Sequence, residues 1–198
     1  LISAQGATLF FGLIMVAIAC IIMGAGIPTT PCYIILASIA GPALSDLGVP
    51  LIATHFFVFY YGVLADVTPP VALAAYAGAG IGGADPMRTG VTAFRLSMGK
   101  ALVPFMFVYA PSMLFINFSW TEFSLAILSG IVGIIALSAA YIGHFKSRIN
   151  VFGKILLTIG GLLLVSSKLS VILVGTILVL IVLLPKIFGT SNMQLLKV

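Results

Sequence analysis

Charge is scarce in this sequence: its 198 residues include nine Lys or Arg and four Asp or Glu, 7% in all, against 62% hydrophobic residues. A soluble domain carries roughly 25% charged residues. So few charges cannot cover a water-facing surface, which excludes a soluble globule and leaves lipid as the solvent. Cysteine is scarce too. Cys20 and Cys32 flank a Gly/Pro stretch inside apolar sequence. Two residues without CxxC spacing make no zinc site, and they read as small buried packing residues. GxSxG, HExxH and paired-carboxylate patterns are all missing, so hydrolysis within the membrane has no machinery and no enzyme is expected. The chain opens on Leu1 with neither a charged leader nor a small-residue cleavage site, so no signal peptide is expected. The missing Met reads as a fragment of something longer. A net charge of +5 would suit nucleic acid, but the cations stand singly or in short clusters between apolar runs. They read as positive-inside loop charges beside an anionic leaflet, and no nucleic-acid partner is expected.

What is present is a series of apolar runs, several of them interrupted. A span of the hydrocarbon core needs about 20 helical residues. Ala7 to Met23 runs into Gly24-Ala25-Gly26-Ile27-Pro28-Thr29-Thr30-Pro31, and a second arm, Cys32 to Leu44, contains Pro42 and is short for a span. Two arms joined by a Gly/Pro tip predict a re-entrant hairpin over 7–44. The run Val49 to Ile81 is too long for one span and is broken by Asp66-Val67-Thr68-Pro69-Pro70. Two prolines without N–H groups predict half-helices, Pro50 to Ala65 and Val71 to Ile81, meeting near the bilayer midplane. A polar connection is expected over 82–100, with Asp85, Arg88, Arg95 and Lys100. An apolar run from Ala101 to Phe118 follows, kinked at Pro104 and Pro111. Trp120 suits the headgroup level, Phe123 to Gly143 is the cleanest span, and His144, Lys146, Arg148, Asn150 and Lys154 form a second basic loop. Ile155 to Ser167 and Leu169 to Pro185 read as a tilted or shallow pair around a snorkelling Lys168. With both basic segments on the cytoplasmic side, the hairpin enters from and returns to the outer face. The fold class expected is an all-α polytopic membrane protein with a re-entrant hairpin and a discontinuous helix.

Irregular backbone survives in lipid only where protein or a water-filled cavity covers it, so the two breaks are the candidate sites. Broken ends offer carbonyl oxygens to a small hard cation and N–H groups to an anion. Thr29, Thr30 and Thr68 add hydroxyls, and Asp66 is the one acid inside an apolar run. A carboxylate there needs a partner: Na⁺ is one, a proton relay the other. Gly78, Gly80 and Gly83 match GxGxxG without a βαβ unit around them; Gly78 and Gly82 read instead as a close-packing GxxxG pair. His55 reads as a hydrogen-bonded structural histidine.

The stretches GAGIPTTPCYIILASIAGPAL, FVFYYGVLADVTPPVALAAYAGAGIGGADPMRTGVTAFRL and VPFMFVYAPSML resemble the large membrane subunit of tripartite ATP-independent periplasmic (TRAP) transporters, most closely the fused 4TM/12TM permease of the TAXI subtype. The resemblance is strong over Gly24 to Leu114 and looser beyond. It implies a sodium-coupled permease in a bacterial or archaeal cytoplasmic membrane, importing an organic anion from a periplasmic substrate-binding protein. It implies an elevator-type fold of two inverted repeats. Residues 1–114 would be the second repeat's transport-domain part and 115–198 the C-terminal membrane helices and tail. The first repeat and the small-subunit region would be missing partners. Carried over by position, Gly24, Gly26, Pro28, Thr29 and Thr30 of the tip and Asp66, Thr68, Pro69 and Pro70 of the break line the ion and substrate site. Gly26, Thr29, Thr30, Asp66 and Thr68 are the Na⁺ candidates, with no other cofactor. A passive channel with re-entrant filter loops and a non-transporting assembly subunit are the alternatives.

Overall fold

The computed structural model describes residues 4–24 and 27–188. Nearly every ordered segment among them is helical, as expected where each backbone polar group must find its partner within its own segment. Among the described residues four helical stretches are long and apolar enough to cross a membrane: Gly6–Gly24, Pro86–Tyr109, Trp120–Ile142 and Leu169–Ile187. The protein is an all-α polytopic membrane protein, with one two-residue strand pair as its only sheet among the described residues.

Helix α1 (Ala4–Gly24) and helix α2 (Thr29–Asp46) pack on each other and on α3 (Leu51–Leu64). Their shared core includes Leu13, Cys20, Cys32, Leu36, Phe57 and Leu64. Both cysteines are buried and free. Helix α2 is longer than the arm read from sequence: it starts three residues earlier, and Pro42 lies inside it without ending it. Helix α3 stops at Leu64 and tightens into a 3-10 turn over Ala65–Val67; the chain then leaves helical geometry at Thr68 and resumes as α4 (Leu73–Gly82). The break falls where two consecutive residues lack an N–H.

The expected polar connection is instead helical. Helix α5 (Pro86–Ser97) opens with Asp85 as its cap, its Oδ1 accepting the Arg88 N–H at 2.7 Å, and with Pro86 in the first helical position. Through a 3-10 turn at Met98–Ala101 it joins α6 (Leu102–Tyr109), making the 24-residue span Pro86–Tyr109. Sequence reading missed it because α5 has a polar, exposed side that includes Arg88, Thr92 and Arg95. The helix ends at Ala110, which leaves helical geometry (φ −129°, ψ 73°) just before Pro111, a residue type that disfavours the helical region for its predecessor.

Helix α7 (Trp120–Ile142) returns antiparallel to this span. A Cβ on Gly130 would meet Met106 Cε at 2.8 Å, one on Gly133 would meet Leu102 Cδ2 at 2.7 Å, and one on Gly99 would meet the Ile134 carbonyl at 3.1 Å. That register carries Arg88 past Ile142, to the same end of the bundle as the second basic loop. At the other end Trp120 sits in an aromatic cluster with Phe118 and Phe123, as residues at a lipid–water interface do.

The loop after α7 contains strands β1 (His144–Phe145) and β2 (Ser147–Arg148), paired antiparallel. Helices α8 (Val151–Leu163) and α9 (Leu169–Phe188) then form a packed pair against α7. Glycines allow this close approach: a Cβ on Gly160 would lie 3.1 Å from the Gly175 carbonyl, and one on Gly175 only 2.9 Å from the Gly160 carbonyl. Among the described residues nothing packs on Gly78 or Gly82, where an added Cβ would meet open space. Lys168 lies exposed in the turn between α8 and α9, and the neighbouring Ser167 hydroxyl donates to the Tyr109 carbonyl.

Candidate functional site

The end of α1, the start of α2 and the break after α3 come together at one place. Gly24, the last residue of α1, is buried against the last turn of α3. A Cβ there would lie 2.5 Å from Ala65 Cβ and 3.2 Å from the Gly62 carbonyl, so only glycine lets the two helix ends touch. From the other arm, the Thr29 hydroxyl donates to Asp66 Oδ2 at 3.1 Å. The contact spans 37 positions of sequence and links the two interruptions directly. Both side chains are half-buried.

Helix α2 is well placed to present its start to this junction. Pro28 precedes it with no side-chain cap, and its carbonyl accepts the Cys32 N–H. Pro31 has no N–H, so the Thr29 and Thr30 N–H groups are the first-turn donors left without a partner inside the helix. Thr30 is exposed and lines an open groove of ≈ 360 Å³ together with Thr29, Tyr33, His55, Phe56 and Phe59. Within it the Tyr33 hydroxyl and His55 Nδ1 share a 2.9 Å hydrogen bond, and Tyr33 stands edge-on to Phe59 with centroids 5.8 Å apart.

The rest of the break is held by its own polar groups. The Thr68 side chain is buried and donates to the Leu64 carbonyl at 2.9 Å, capping the end of α3 rather than reaching Thr29. The Pro69–Pro70 peptide is cis. The Pro70 carbonyl accepts the Tyr76 hydroxyl at 2.6 Å, so this carbonyl is occupied from α4. Pro69 faces α5, 3.5 Å from where a Cβ of Gly90 would stand. Ala72 then enters α4 with φ +34°, a left-handed geometry uncommon for a residue with a Cβ.

Of the residues picked from sequence, Gly24, Thr29 and Asp66 converge, Thr30 lines the adjoining groove, and Thr68, Pro69 and Pro70 shape the break from its far side. Gly26 lies outside the described residues. Tyr33 is not among the residues expected from sequence, and the hydrogen bond expected of His55 finds its partner in Tyr33. The available signal was spacing: Tyr33 follows Thr29 by one helical turn, as Phe59 follows His55.

An oxygen-rich junction of this kind offers a carboxylate and a hydroxyl, hard donors of the type small cations prefer. No cluster of three or more His, Cys, Asp or Glu exists among the described residues, so a transition-metal centre has no ligand set there. The groove beside it pairs polar tips with aromatic walls, the composition of a small-ligand site.

Neither the curated proteins nor the solved structures yield a match to the chain. A family match does exist, to the tripartite ATP-independent periplasmic transporter, DctM component, over residues 1–121. It covers the hairpin helices, the break and the span Pro86–Tyr109, and stops as α7 begins. With helices that cross a membrane and a family match over more than half its length, the chain belongs to the DctM component family of tripartite ATP-independent periplasmic transporters.

Proposed function

We propose that this chain is part of a sodium-coupled secondary transporter permease that imports an organic anion, such as a carboxylate. In this reading a periplasmic substrate-binding protein delivers the anion to a permease in the cytoplasmic membrane of a bacterium or archaeon. The observation that carries the proposal is the Thr29–Asp66 hydrogen bond, which joins the start of α2 to the broken helix.

The mechanism follows from the groups there. Na⁺ takes one Asp66 oxygen and the Thr29 hydroxyl oxygen, with carbonyl oxygens from the interrupted backbone completing its shell. Its charge offsets the carboxylate, which is costly to hold unpaired at membrane depth. The bound ion pins the first turn of α2 against the break. That fixes the Thr29 and Thr30 N–H groups, the positive end of α2, beside the groove. A substrate carboxylate meets those donors while Phe56 and Phe59 contact its apolar body. Ion and anion then move together as the hairpin and broken helix shift as one unit, an elevator step.

Proteoliposomes holding the permease, given radiolabelled mono- and dicarboxylates and the binding protein, test the proposal by sodium titration of uptake. Saturable uptake that requires sodium is expected, and loss of most of it on replacing Thr29, Thr30 and Asp66 together by Ala. Uptake that is linear in substrate and indifferent to sodium would mark a passive channel and overturn the proposal.

A further inference from the structure

A second concentration of polar chemistry lies beyond the matched residues 1–121, at the connection between α7 and α8. The β1–β2 register puts His144 directly opposite Arg148, so the two side chains share one face of the ladder. Lys146 forms the tip between the strands with φ +53°. Lys186, in the last turn of α9, donates to Ser147 Oγ and to the Arg148 carbonyl, each at 2.8 Å. Lys146 Nζ reaches the Ile187 carbonyl at 3.5 Å, so α9 is latched to the hairpin from both sides. Lys154, one turn into α8, lies over Gly143, where an added Cβ would come 2.7 Å from its Nζ.

Among the described residues none of these basic side chains has an acidic hydrogen-bond partner. Asp46 ends α2, Asp66 meets Thr29, and Glu122 lies in the first turn of α7, at the other end of that helix; Asp85 lies at the same end as the basic loop, where its carboxylate is engaged in capping α5. Like charges gathered at a membrane end repel one another unless an anion sits among them. Just beside them the helix ends are apolar and exposed, at Ile142, Phe152, Ile155 and Leu184. Cations above an apolar collar fit a molecule with an anionic head and hydrocarbon tails.

We propose that His144, Arg148 and Lys154, in the frame that Lys146 and Lys186 hold together, bind the phosphate headgroup of an anionic phospholipid, with its acyl chains along α7, α8 and α9. The collar distinguishes this ligand from dissolved phosphate, which would use the cations and leave the apolar surface unused. The site is independent of the Thr29–Asp66 junction and of transport through it.

The test places the purified full chain in nanodiscs of phosphatidylcholine, alone or mixed with phosphatidylglycerol. Retained lipid is counted by native mass spectrometry and the unfolding midpoint is followed by heating. Preferential retention of phosphatidylglycerol and a higher midpoint in the mixed discs are expected. Removing Arg148 or Lys154 should weaken retention about fivefold each, and His144 adds a ring hydrogen bond, so H144Q/R148Q/K154Q should retain the two lipids equally. K168Q, at the far turn, should leave retention unchanged, and the charge-keeping R148K/K154R should preserve it, which separates lost charge from lost fold. Equal retention of both lipids by the unmodified chain would overturn the proposal, as would undiminished retention in the triple variant. An equal loss in K168Q or in R148K/K154R would also overturn it. Inorganic phosphate reproducing the midpoint rise in phosphatidylcholine discs would do so too, by showing that the headgroup alone suffices.

Discussion

Thr29 and Asp66 stand 37 positions apart and meet through a single hydroxyl. A hydrogen bond to a charged group contributes about 1.5–3 kcal/mol, and partial exposure here argues for the lower end. Thr29→Val is therefore expected to weaken sodium activation of uptake about tenfold, read as a rise in the half-saturating sodium concentration. Thr29→Ser, which keeps the hydroxyl, should restore most of it. Gly24 makes a separate prediction, since its Cβ would come 2.5 Å from Ala65 Cβ. Gly24→Ala should push α1 off the end of α3 and destabilise the protein by about 1–3 kcal/mol, seen as a lower unfolding midpoint. Both positions were legible in the sequence, because unpaired backbone and a lone acid are conspicuous in an apolar run. The Tyr33–His55 pair was not, since 22 positions separate the residues and their meeting depends on how α2 and α3 rotate against each other.

Among the elements, the span Pro86–Tyr109 differs most from its sequence reading. Its start was signalled by Asp85-Pro86, a cap followed by a proline in the first helical position, but a search for apolar runs passes over a helix whose first half is amphipathic. The glycine seam was equally hidden. Gly78 and Gly82 carry the GxxxG spacing yet face open space, whereas Gly160 and Gly175, on successive helices, bring two backbones together. Spacing within one helix cannot report which face a neighbour covers. Two substitutions separate these cases. Gly160→Val should wedge α8 from α9 and lower the unfolding midpoint, because the added atoms meet Val179 and the Gly175 carbonyl. Gly78→Ala should leave it unchanged or raise it, by about 0.5–1 kcal/mol of helix propensity.

At the scale of the whole chain, two packed groups of helices stand out. One, built on α1, α2 and α3, carries the junction and the groove within residues 1–121. The other, α7, α8 and α9, is held by glycine contacts and ends in the basic hairpin. The scarcity of charge identified the solvent, and polar residues gather at the two sites proposed above. The central claim is that the Thr29–Asp66 junction holds sodium, and heating the purified protein in sodium chloride against choline chloride at equal ionic strength tests it most directly. The account predicts a midpoint that rises saturably with sodium alone, by the equivalent of about 1.4 kcal/mol at ten times the dissociation constant, and no such rise in Asp66→Asn. The same rise in choline, or an undiminished rise in Asp66→Asn, would contradict it.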